Sequence, residues 1–107
     1  MTQFNDRERA EEAKYSLDQQ SLFKARARRD KLVGLWAAGV LGYSGAEADE
    51  YAKAVVISDL EEPGDEDVIR KILKDFDDKG VNKGREEIVS QLTEMMPVAV
   101  EQIKSES

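Results

Sequence analysis

Two stretches of this chain gather side chains of the kinds that do chemistry. The first runs from Asp75 to Glu86. It places Asp75, Asp77, Gly80 and Glu86 at positions 1, 3, 6 and 12 of a helix–loop–helix calcium site. Lys79 and Lys83 occupy positions 5 and 9, where oxygen ligands belong, and Asn82 stands at position 8, where an apolar residue is usual. Two ammonium groups at ligand positions repel a cation, so the stretch reads as an acidic helix end followed by a turn, with no metal. The second stretch, Lys24 to Lys31, holds five bases and one acid. Such a cluster suits a phosphate or an acidic protein surface. It also suits a solvated helix face that pairs with acids of its own chain.

The remaining inventory excludes much. The 107 residues include no cysteine and no histidine. Disulfides, zinc sites built on Cys or His, and Ser-His-Asp or Cys-His catalysis are therefore ruled out. The glycine-dotted stretch Gly34 to Gly45 lacks the Lys-Ser/Thr of a phosphate-binding loop. The pairs Glu61-Glu62 and Glu86-Glu87 are sequence neighbours and point in different directions on a helix, so neither makes a general acid/base pair. We expect no enzyme and no cofactor. Residues 1–31 hold eight bases and six acids, a charge of +2, and residues 32–107 hold eight bases and seventeen acids, a charge of −9. A body that acidic argues against nucleic acid as a partner.

The elements that must position these groups are helices. Strict apolar/polar alternation is absent, and apolar residues recur at helical spacing. Asn5 suits an N-cap, with Glu8 in the capping-box position, but Phe4, Tyr15 and Leu17 are the only large apolar groups besides Met1 before Ser21. Such a segment buries too little surface to offset its ordering entropy. We expect residues 1–18 to be an arm that becomes helical against a partner, and residues 19–107 to be a helical bundle.

Within the bundle, Leu22 to Leu41 reads as one helix with Leu22, Ala25, Leu32, Leu35, Trp36, Gly39 and Val40 facing inward. Gly42 ends it. Ser44 opens a second helix with Ala48, Tyr51, Ala52, Val55, Val56 and Leu60 on its apolar face, stopped by Pro63-Gly64. Asp65 caps a third, with Val68, Ile69, Ile72, Leu73 and Phe76 inward. Asn82 caps a fourth, with Ile88, Val89, Leu92, Met95, Met96, Ala99, Val100 and Ile103 inward and a kink or break expected near Pro97. The fold class is all-α, a four-helix bundle. The apolar run Leu32–Leu41 is about half the roughly 20 residues a membrane span needs. With no secretory signal, we expect a cytoplasmic protein that does not enter the bilayer.

Certain residues carry a resemblance as well. Phe4-Asn5-Asp6-Arg7-Glu8-Arg9-Ala10, Glu12-Ala13-Lys14, Phe23-Lys24-Ala25, Ala27-Arg28-Arg29, Leu35-Trp36-Ala37-Ala38 and Tyr51-Ala52 occur in this order. So arranged, the chain resembles the zeta subunit family, the ATPase inhibitor of alpha-proteobacterial F1Fo ATP synthases. The resemblance implies a four-helix fold and an inhibitory N-terminal segment. That segment enters the F1 catalytic interface between the alpha and beta subunits, beside gamma, and blocks rotation in the hydrolysis direction. It implies a peripheral location on the cytoplasmic face of the inner membrane, through F1. The residues expected to act are Phe4, Asp6, Arg7, Glu8, Arg9, Ala10, Lys14 and Tyr15. A reading of a different class is a small nucleotide-sensing bundle, holding ATP or ADP weakly through Lys24, Arg28 and Arg29.

Overall fold

A computed structural model describes residues 15, 17–61 and 64–106. The segment Asn5–Lys14, expected to be a conditional helix, lies outside them. Among the described residues four helices follow one another: α1 (Gln19–Leu41), α2 (Gly45–Glu61), α3 (Asp65–Asp78) and α4 (Arg85–Glu106). Helix α1 is the central element and packs most extensively on α2 and α4, while α3 bridges α2 and α4.

The start of α1 is set by Asp18, whose Oδ1 accepts from the Ser21 backbone N–H at 2.7 Å. Its end is a Schellman turn. Gly42 adopts φ 91°, its N–H donates to the Gly39 carbonyl at 3.1 Å, and the Tyr43 N–H reaches the Ala38 carbonyl at 2.8 Å. A side chain at Gly42 would be strained in that left-handed conformation.

The face that α1 buries is rotated from the one its large apolar residues suggest. Ala25, Val33, Ala37 and Ala38 are fully buried, together with Gly34. Leu32, Leu35, Trp36 and Val40 are only half-buried, and Gly39 is exposed. The cause is closeness of approach. A Cβ on Gly34 would lie 2.7 Å from the Ala52 backbone Cα, so small residues line the seam with α2 and larger ones flank it. Trp36 packs from the flank, edge-on to Phe76 at 5.8 Å between ring centroids.

The main core joins Val33, Ala37 and Leu41 of α1 to Val55 of α2, to Val68, Ile69, Ile72 and Phe76 of α3, and to Ile88 and Leu92 of α4. A smaller cluster of Leu22, Ala25, Met96 and Val100 closes the other end of the α1–α4 contact, with Tyr15, Leu17 and Ile103 packed on it. Each fully buried aliphatic or aromatic side chain contributes about 1.5–3 kcal/mol.

Several local expectations need correction. Leu60 and Val89 are exposed, not inward. Asp65 is the first residue of α3 and not its cap. Gly64 holds the cap position and has no side chain to cap with, and the Asp65 carboxylate instead accepts from Arg29. Helix α4 begins at Arg85, three residues after Asn82, and runs through Pro97 without a break. Pro97 is exposed, so the carbonyl that loses its donor, that of Thr93, lies where water can reach it.

Candidate functional site

The basic cluster of α1 separates into groups with different fates, according to which way the helix turns each side chain. Arg29 points inward and is 3% exposed. Its Nε and Nη2 donate to Asp30 Oδ1 at 3.1 and 2.9 Å, and Nη2 also reaches Asp65 Oδ1 at 2.8 Å. Burial works against its charge, but the Asp30 and Asp65 carboxylates outweigh it and raise the Arg29 pKa above its ordinary value. Arg28 points sideways to α4. It donates to Gln102 Oε1 at 2.8 Å and pairs with the Glu106 carboxylate, 2.7 Å from Oε2 and 3.0 Å from Oε1. The hydrogen bond from Arg28 in turn lowers the Glu106 pKa.

Lys24 and Lys31 are exposed beside Phe23, which is 60% exposed and so the most exposed large apolar residue among those described. Phe23, Ala27, Val56 and Ile103 line a shallow open groove with Lys24 and Lys31 beside it. This surface offers an apolar contact flanked by cations. Lys24, Arg28 and Arg29 do not converge on one point. Arg29 is sealed between carboxylates and cannot reach a phosphate, and Arg28 is already bidentate to Glu106. The spacing of the bases did not separate them; the signal that could have done so is Asp30, an acid set beside Arg29 among five bases.

Of the residues expected in the arm, Phe4, Asp6, Arg7, Glu8, Arg9, Ala10 and Lys14 lie outside the described residues. Tyr15 is described, and it is half-buried on the small cluster formed by Leu22, Ala25, Met96 and Val100. The chain thus meets the bundle at the α1–α4 end, and Ile103 belongs both to that cluster and to the Phe23 groove.

The stretch that mimics a calcium loop is used otherwise. Asp75 Oδ2, at the first ligand position, accepts from the Tyr51 hydroxyl at 2.7 Å and from Lys71 Nζ at 3.1 Å. Lys71 also lies 5.1 Å from the Tyr51 ring centroid. Burial, and then the Asp75 hydrogen bond, push the Tyr51 hydroxyl well above its usual range. Among the described residues, no group of three or more His, Cys, Asp or Glu side chains is placed to hold a metal ion.

The family model described as ATPase inhibitor subunit zeta matches residues 1–102. The chain belongs to the ATPase inhibitor subunit zeta family. A protein structure solved in solution by NMR is 49% identical to it, with a TM-score of 0.70; the match covers 79% of this chain and 96% of that one. No curated protein matches the chain. Membership in that family indicates a regulatory inhibitor subunit. No helix among the described residues is long and apolar enough to cross a membrane.

Proposed function

We propose that this zeta-family protein inhibits ATP hydrolysis by F1 with its N-terminal segment, residues 1–14, which inserts between the alpha and beta subunits beside gamma and blocks rotation. The observation that carries this reading is the extent of the family match, which begins at residue 1 and includes the whole charge-dense segment before the bundle. Among the described residues the buried core begins at Leu22, with Tyr15 and Leu17 packed against its smaller cluster.

In the inhibited complex Phe4 is an apolar anchor, Arg7, Arg9 and Lys14 pair with carboxylates, and Glu8 pairs with a base. Asp6 and Ala10 lie on the same inserted segment. Tyr15 marks the junction, either anchored in the interface or on Leu22 and Val100 as described above. The bundle stays outside as a stop, and the groove at Phe23, Lys24 and Lys31 adds contact with an acidic outer surface. Ordering of the arm is compensated by its contacts. The complex is peripheral, on the cytoplasmic face of the membrane.

The test is ATP hydrolysis by F1 stripped of its own inhibitor. The full chain should suppress it, and a chain lacking residues 1–14 should not, although its bundle remains folded by circular dichroism. Full inhibition by the truncated chain would exclude the arm as the acting segment.

A further inference from the structure

The structure contains a buried acidic group that inhibition does not use. Asp30 is 1% exposed. Its Oδ1 takes both hydrogen bonds from Arg29, but its Oδ2 is buried with no hydrogen-bond partner. A carboxylate oxygen left dry and unpaired is costly. The Asp59 side chain on α2, a second carboxylate, lies within hydrogen-bonding range of the Asp30 carboxyl. The charged groups around it are therefore Arg29 on α1 itself, Asp59 on α2 and, through Arg29, Asp65 on α3. Around Asp30 itself two carboxylates, its own and that of Asp59, meet the single guanidinium of Arg29, an excess of one negative charge. A single proton resolves both the orphaned oxygen and the like charges, because a protonated Oδ2 donates to Asp59.

We propose that Asp30 and Asp59 share a proton, so that the junction of α1, α2 and α3 is a proton-dependent device that loosens as the solution becomes alkaline. The pair ties α1 to α2, while Arg29 ties the same turn of α1 to the start of α3. Burial, reinforced by Asp59 and opposed by Arg29, pushes Asp30 up to about 8. The direction of the pH effect follows. The folded protein holds a proton that an unfolded Asp, with a pKa near 3.9, has released. The stabilisation is complete below that unfolded value and is lost as pH rises through about 8. The chain has no histidine and no cysteine, so the α-amino group apart, no side chain of ordinary pKa titrates between roughly pH 5.5 and 8. A neutral-pH response in this protein must come from a displaced group.

The experiment is urea unfolding of the full chain from pH 5.5 to 9, followed by the fluorescence of its single Trp36. The wild-type midpoint should fall as pH rises and level off above about pH 8. In Asp30→Asn the amide copies the protonated acid, with its oxygen towards Arg29 and its N–H towards Asp59, and the midpoint should stay flat across the same range. Asp59→Asn removes the like charge and should shift the fall to lower pH. Parallel profiles for wild type and Asp30→Asn would overturn the proposal. Should Asp30→Asn fail to fold, the 13C shift of the Asp30 carboxyl in the wild type decides. A titration near neutral pH supports the shared proton, and one near pH 4, the ordinary carboxyl range, sinks it.

Discussion

Arg29 shows what a single side chain can commit a fold to. Lys24 and Lys31 of the same helix face water, yet Arg29 is withdrawn into the junction of α1 and α3 and held by Asp30 and Asp65. A buried pair adds little over a well-packed apolar substitute, but removing one partner strands the other. Arg29→Met should therefore leave the buried Asp30 Oδ1 without its donor and cost about 1–3 kcal/mol by urea unfolding at neutral pH. Substituting Lys24 or Lys31, which are exposed, should leave the midpoint nearly unchanged, since exposed charges contribute about 0–1 kcal/mol. The contrast separates the structural base of this cluster from those exposed to solvent. The ion pairs Arg85–Glu66 and Arg28–Glu106 lower the pKa of their acids. Their contribution is present above the ordinary carboxyl range and disappears as pH falls below it, the opposite sign to that of Asp30.

At the scale of elements, two positions decide how the helices run. Gly34 lets α1 and α2 approach until a Cβ would meet the Ala52 backbone at 2.7 Å. Backbone cannot swing aside as a side chain can. Gly34→Ala should thus destabilise the protein by about 1–3 kcal/mol, despite the better helix propensity of alanine. A chemical denaturation midpoint lower than wild type is the expected result, and a higher one would show that the seam is loose. Pro97 presents the converse. It sits exposed within α4, which continues past it to Glu106. Pro97→Ala restores a donor for the Thr93 carbonyl without disturbing the core and should raise stability by about 1–3 kcal/mol in the same assay.

At the scale of the whole molecule, the division between arm and bundle becomes a matter of where the chain can be cut. Apolar content alone suggests a cut after residue 18. The structure puts it earlier, because Tyr15 and Leu17 pack on Leu22, Ala25, Met96 and Val100, and Asp18 caps α1. Removing residues 1–14 should leave the thermal midpoint unchanged. Removing residues 1–18 should lower it by the equivalent of about 1 kcal/mol for the lost cap, together with the packing of Tyr15 and Leu17. Calorimetry of the two truncations distinguishes an arm that ends at residue 14 from one that ends at residue 18.

Much of this was legible in the chain. The clean stripe Val68–Ile69–Ile72–Phe76 placed α3 correctly, and Gly42 and Pro63-Gly64 marked helix ends, because periodicity and turn chemistry act through near neighbours. The family, too, could be read from the order of Phe4–Ala10, Leu35–Ala38 and Tyr51-Ala52. Three things could not be read locally. The buried face of α1 depends on how closely α2 approaches at Gly34. The role of Asp65 depends on Arg29, distant in sequence and adjacent only in space. The state of Asp30 depends on Asp59 across the seam. Sequence alone determined an all-α chain of amphipathic helices with a charge-dense leading segment, since those properties are carried by each segment's own composition. Only the tertiary structure decided which bases serve the fold and which face solvent, because burial and pairing are properties of elements brought together.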